Sequence, residues 1–155
     1  MSDSSNLALD KNNLDTILVL DFGSQYTQLI ARRIRELNVY SEILPWDIST
    51  EKIQILKPKG VILSGGPESV TESNTPRIPK IIFELDVPVL GICYGMQTLA
   101  EQFGGQVSSS KNKEFGHAQI LLEKPSILFN GFSSGSSIDV WMSHGDHVST
   151  LPDEF

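Results

Sequence analysis

The sequence predicts an α/β fold, a doubly wound sheet of parallel strands flanked by helices. Two observations lead to this class. As far as Gly105, short apolar runs of strand length alternate with segments whose apolar residues recur at helical spacing. Turn motifs carrying glycine then follow the first, third and fourth runs: Asp21-Phe22-Gly23-Ser24, Ser64-Gly65-Gly66-Pro67 and Gly91-Ile92-Cys93-Tyr94-Gly95. In a sheet of this kind such turns meet at the carboxyl ends of the strands, where ligands bind.

The elements follow in order. Residues 1–15 are polar and aperiodic, a flexible leader. Thr16-Ile17-Leu18-Val19-Leu20 is apolar almost throughout, the mark of a strand buried on both faces. Ser24 is positioned to cap the helix that follows, in which Ile30, Ile34 and Leu37 form the apolar face. Val39 to Leu44 reads as a second strand. Thr50 to Leu56 reads as a helix closed by Pro58, and Gly60 to Ser64 as a third strand. Ile78, Ile81, Ile82 and Leu85 make one helix face. A strand over 87–92 leads to Cys93, and Met96, Leu99, Ala100 and Phe103 mark the next helix, which Gly104-Gly105 terminates.

Beyond residue 105 the pattern changes. Gln106–Ser109, His117–Glu123 and Ile138–Ser143 read as strands with no helix between them, an antiparallel extension. Residues 111–114 and the serine-rich 133–137 read as polar turns. The whole is a flavodoxin-like mixed β-sheet flanked by helices.

Composition narrows the function. The 155 residues suffice for one domain with a real core. A net charge of −7 disfavours nucleic acid as a partner, because phosphate binding needs a basic surface. One cysteine excludes an internal disulfide, and three scattered histidines give no zinc-ligand spacing. No apolar stretch is long enough to span a membrane, and the start lacks the basic and apolar regions of a signal peptide. The expected location is the cytoplasm.

A lone cysteine is usually a small buried hydrophobe. Cys93, however, sits where an apolar run gives way to a helix, with Gly91 and Gly95 close on either side. Glycines there suit a tight turn with close backbone approach, which a structural cysteine does not require. The arrangement is that of a nucleophile elbow, and a helix N-terminus favours a thiolate. Acyl transfer also needs backbone N–H donors for the oxyanion. The Tyr94 amide is one, and Gly65 or Gly66 supplies the other. A phosphate loop is disfavoured, since Pro67-Glu68-Ser69 follows the glycines where lysine and a hydroxyl are required. A base for the cysteine must come from His117, His144 or His147, and His144-Gly145-Asp146 offers a base beside an acid.

Five stretches then carry a resemblance: Ile17 to Glu36, Ser64 to Val70, Gly91 to Gln97, Glu114 to Ala118 and Val140 to His147. Together they resemble the triad-type, class I glutamine amidotransferases, and among these the amidotransferase domain of the GMP synthases, from about residue 16 to the end of the chain. The resemblance implies that Cys93 attacks the side-chain amide of glutamine to form a thioester. The amides of Gly66 and Tyr94 would hold the oxyanion, and Gln97, Met142, Ser143, His144 and Asp146 would bind glutamine. It also implies a separate synthetase domain of a homodimeric parent, using ATP and magnesium to aminate xanthosine monophosphate to GMP in purine biosynthesis. No metal or cofactor is expected in the present chain. Amidotransferase subunits of the anthranilate or carbamoyl phosphate synthase type are the nearest rivals, and a non-catalytic glutamine- or partner-binding module is the rival of another class.

The family's catalytic histidine and glutamate lie in a His-Pro-Glu motif, which this sequence does not contain. The resemblance therefore implies that His144 and Asp146 contact substrate rather than complete a triad. It also implies that residues 16–155 form a partial amidotransferase domain, inactive alone, whose sheet lacks its last strands and is left partly uncovered.

Overall fold

The computed structural model describes residues 15–153, with the backbone alone at 110–114. The leader expected over 1–15 lies, apart from Asp15, outside the described residues.

Four strands form a parallel sheet: β1 (Thr16–Asp21), β2 (Tyr40–Pro45), β3 (Gly60–Leu63) and β4 (Val89–Gly91), in the order β2-β1-β3-β4. Helices α1 (Thr27–Glu36), α2 (Thr50–Leu56), α3 (Lys80–Glu84) and α4 (Tyr94–Gln102) alternate with the strands and follow the last of them. The register decides where the turns emerge. Leu20 of β1 pairs with Leu63 of β3, and Leu63 pairs with Gly91 of β4. The three strands therefore end level, and all three motif turns leave the sheet along one edge.

The core follows from the apolar runs. Leu18, Val19 and Leu20 are fully buried, and Leu18 and Leu20 pack with Val61, Leu63, Ile53 and Ile82. Each such side chain contributes on the order of 1.5–3 kcal/mol of transfer free energy. Helix α3 is shorter than its apolar face, because Pro79 occupies the N-cap and holds Ile78 outside the helix. Ile78, Ile81 and Ile82 are nevertheless buried together. Lys57, in the left-handed region at φ 46°, closes α2 just before Pro58. Gly104, at φ 88°, closes α4.

The expected face of α1 differs from the observed one. Thr27 and Ala31 are its buried residues, Ile30 and Ile34 are only partly covered, and Leu37 is 77% exposed. Leu37 is the C-cap, at the very end of the helix, and the sheet does not cover it there. Ser24 also works one step earlier than expected. Its hydroxyl accepts from the Tyr26 amide at 3.1 Å and shapes the turn, while Tyr26 holds the N-cap position.

The antiparallel part forms a two-stranded ribbon, β5 (Gln106–Leu121) and β6 (Ser137–Thr150), whose strands pair only with each other among the described residues. The polar stretch expected as a turn at 111–114 is a bulge within β5 instead. Ser109 pairs with Asp146 and Glu114 with His144, so residues 110–113 face Gly145 alone. The serine-rich 133–137 does turn the chain, with Gly135 donating to the Leu122 carbonyl and Leu122 to that of Ser136. Among the described residues no helix is long and apolar enough to cross a membrane.

Candidate active site

Cys93 is the N-cap of α4, with φ 52° and ψ −113°. A non-glycine residue held there stores strain of roughly 1–3 kcal/mol. The surroundings explain how it persists. Gly95 lies so close to β3 that a Cβ would come within 2.5 Å of the Leu63 carbonyl oxygen, and one on Gly91 within 2.6 Å of Met96 Cα. The Gly95 amide donates to the Ser64 and Ile92 carbonyls, each at 3.0 Å, and the Ile92 amide to Leu63 at 2.9 Å. The strand end and the first turn of α4 are thus pressed together, and the residue between them is forced outward. This is the elbow that the two glycines predicted.

Tyr94 anchors the turn from below. Its ring is buried against Phe22 at 5.4 Å, and its hydroxyl donates to the Pro76 carbonyl at 2.5 Å. Burial raises its phenol above the usual tyrosine range. With the side chain fixed inward, the Tyr94 amide is left at the open helix end beside Cys93.

The loop after β3 comes up on the other side. A Cβ on Gly65 would lie 3.5 Å from Cys93 Cβ, so its backbone runs against Cys93. Gly66 sits so tightly on the turn after β1 that a Cβ would meet the Phe22 carbonyl oxygen at 2.6 Å. The Ser64 hydroxyl accepts from the Phe22 amide at 3.0 Å and donates to the Gly65 carbonyl at 2.9 Å.

The ribbon covers the site from above. The half-buried Cys93 thiol contacts the Ser143 carbonyl at 3.8 Å. Gln97, buried on α4, donates from Nε2 to the Asp146 carbonyl at 2.9 Å. The Ser69 hydroxyl donates to Asp146 Oδ2 at 2.5 Å. Between ribbon and loop lies a cavity of about 530 Å³.

Of the residues singled out in the sequence, Gly66, Cys93, Gln97, Ser143, His144 and Asp146 all line this cavity. Tyr94 is not among the lining residues. Met142, opposite Gly116 in the ribbon, is not among the lining residues. His117 pairs with Asp139 on the exposed ribbon, and His147 stands opposite Ser108, so among the histidines His144 alone lines the cavity. Sequence reasoning missed Ser69 as a partner of Asp146. Ser69 lies in a quoted motif, but nothing in the sequence links positions 77 residues apart.

The model of the family "Glutamine amidotransferase class-I" matches residues 18–155. The GMP synthase [glutamine-hydrolyzing] of Colwellia psychrerythraea is 58% identical over 145 residues, which is 90% of this chain and 28% of that protein. That of Histophilus somni is 56% identical over 144 residues, with the same coverage. The chain therefore spans 28% of the length of these curated relatives. Among solved structures, a GMP synthase subunit protein from Thermoplasma acidophilum superposes with a TM-score of 0.72 at 32% identity, covering 90% of this chain and 69% of that one. A glutamine amidotransferase from Methylobacillus flagellatus gives 0.68 at 19% identity, covering 90% and 59%, a likeness of fold. With the elbow, the glycine loop and the covering ribbon in place, the match over 18–155 is decisive: the chain belongs to the class-I glutamine amidotransferase family.

Proposed function

We propose that this chain binds glutamine in the Cys93 cleft and is the glutamine-hydrolysing part of a GMP synthase. The observation that carries the reading is the strained Cys93 elbow, with φ 52°, set against the Gly65-Gly66 loop in a cavity that also holds Gln97, Ser143, His144 and Asp146.

In this reading the Cys93 sulfur attacks the side-chain amide carbon of glutamine. The carbonyl π pair moves to oxygen, and the amides of Gly66 and Tyr94 stabilise that oxyanion. Collapse breaks the C–N bond, ammonia leaves after taking up a proton, and a glutamyl thioester remains. Water then cleaves the thioester to glutamate and restores the thiol. Proton transfer to nitrogen requires an acid–base group, and His144 is read as a substrate contact. The His-Pro-Glu pair of the family is not in this sequence, so the chain alone is proposed to be catalytically incomplete.

The ammonia would pass to a synthetase domain that aminates xanthosine monophosphate. ATP and magnesium belong to that domain in this reading. The described cleft residues do not fit them, because none of those that line the cavity is a lysine or arginine able to hold a triphosphate. No group of three or more histidine, cysteine or acidic side chains among the described residues is arranged to hold a metal ion.

The test is covalent capture. A glutamine-mimicking diazoketone, 6-diazo-5-oxo-L-norleucine, should label Cys93 of this chain, glutamine should protect it, and Cys93→Ala should remove the label. Labelling elsewhere, or labelling that glutamine does not slow, would refute the reading.

A further inference from the structure

We infer that Ser69 is a positioning residue for substrate recognition: it holds the Asp146 carboxylate in the Cys93 cleft so that this carboxylate takes the α-ammonium group of glutamine. The inference rests on the glutamine reading of the site and assigns one end of the substrate within it.

The hydrogen bonds fix the direction of the interaction. The Ser69 hydroxyl lies 2.5 Å from Asp146 Oδ2 and 2.7 Å from Thr71 Oγ1, and it accepts from the Thr71 amide at 3.2 Å. A carboxylate can only accept, so the Ser69 proton goes to Asp146. The Thr71 hydroxyl must then donate to Ser69. Donors therefore run in one direction, from Thr71 through Ser69 to Asp146, and each bond polarises the next. The Asp146 main chain is held separately, its carbonyl accepting from Gln97 at 2.9 Å. Side chain and backbone are thus tied to different elements, the loop after β3 and helix α4. Among the described residues, Oδ2 is the carboxylate oxygen that is engaged.

Charge selects the ligand group. Glu68, Glu72 and Asp146 line the cavity, and among the described residues no lysine or arginine does. Free glutamine is a zwitterion whose only cationic group is its ammonium. That end is attracted to this wall, and the α-carboxylate is repelled from it. A hydrogen bond to a charged group is among the stronger kinds, and its loss frees a carboxylate to leave its aimed geometry. Ser69 thereby acts on the substrate through Asp146 without touching the reacting carbon.

The experiment is calorimetric titration of the chain with L-glutamine and with 5-amino-5-oxopentanoate, which lacks the ammonium. Wild type should bind glutamine more tightly than the analogue. Ser69→Ala should weaken glutamine about tenfold and leave the analogue within twofold. Asp146→Asn should reproduce that pattern, and Ser69→Thr, which keeps the hydroxyl, should restore most of the affinity. Equal weakening of both ligands in Ser69→Ala would make the residue merely structural and overturn the inference, as would no weakening of either. Wild type that binds both ligands alike would sink this inference alone. Wild type that binds neither would sink the glutamine reading as well.

Discussion

The amide of Phe22 donates to the hydroxyl of Ser64 at 3.0 Å, joining the carboxyl ends of β1 and β3 at the point where the sheet order turns. The same hydroxyl donates to the Gly65 carbonyl. In a trans peptide the N–H points opposite to the C=O. Ser64 therefore sets the direction of the Gly66 N–H, the proposed oxyanion donor. Ser64→Ala leaves the buried Phe22 amide unpaired, a loss of about 1–3 kcal/mol read from the urea midpoint. It should also slow diazoketone labelling of Cys93 while glutamine affinity stays within twofold. An unchanged labelling rate would remove Ser64 from the oxyanion argument.

Cys93 carries strain that glycine would relieve. At φ 52° and ψ −113°, Cys93→Gly should stabilise the fold by about 1 kcal/mol, the strain of 1–3 less the entropy glycine loses on folding. Cys93→Ala, which keeps a Cβ, should leave stability nearly unchanged. Both should abolish labelling. A glycine variant less stable than the alanine variant would show that the elbow is not strained.

The elbow also depends on what is absent at Gly95. A methyl there would lie 2.5 Å from the Leu63 carbonyl and 2.6 Å from Leu63 Cβ, a backbone and a core group that have nowhere to move. Gly95→Ala should cost roughly 3 kcal/mol or more, at the upper end of overpacking. Gly104, with open space around its Cβ position, makes the control. Its penalty should come from φ 88° alone and should be smaller. Denaturant midpoints of the two variants decide the comparison.

How much of this was legible in the sequence depends on the range of the forces. The sheet was legible, because Leu18, Leu20, Val61 and Leu63 are apolar in short runs and burial acts on each residue independently. The elbow was legible too, since Gly91, Cys93 and Gly95 interact within a few residues. The antiparallel ribbon was legible as strands, but its bulge opposite Gly145 was not, because pairing between distant strands decides it. The Ser69–Asp146 bond was hidden for the same reason. The exposure of Leu37 shows a subtler limit: helical spacing names a face but not the residue at which the helix stops.

Tyr94 gives the fold an alkaline limit. Burial raises its phenol above the ordinary value of 10.0, so the unfolded chain loses the proton first as pH rises. The stabilisation is fully present below pH 10.0 and declines above it, toward the raised folded value. Tyr94→Phe should cost about 1 kcal/mol at neutral pH through the lost bond to the Pro76 carbonyl. Its stability should then fall less steeply than wild type between pH 10 and 11. Parallel urea curves across that range are the check, and equal slopes would take Tyr94 out of the alkaline transition.

Gln97 ties the ribbon to helix α4. Its Nε2 donates to the Asp146 carbonyl, on the same strand as the Ser143 carbonyl that faces Cys93. Among the described residues the ribbon has few other anchors there, since β5 and β6 pair only with each other. Gln97→Leu fills similar volume but removes the donor. Because Gln97 is 4% exposed, water does not readily replace the bond. Amide exchange should therefore rise at residues 143–148 and stay unchanged in β1 and β3, whose protection comes from the core. Glutamine affinity should fall, because the Asp146 main chain loses its hold even though the Ser69 bond to its side chain remains. Uniformly faster exchange through the whole chain would mean that Gln97 supports the fold at large rather than the cover of the cleft.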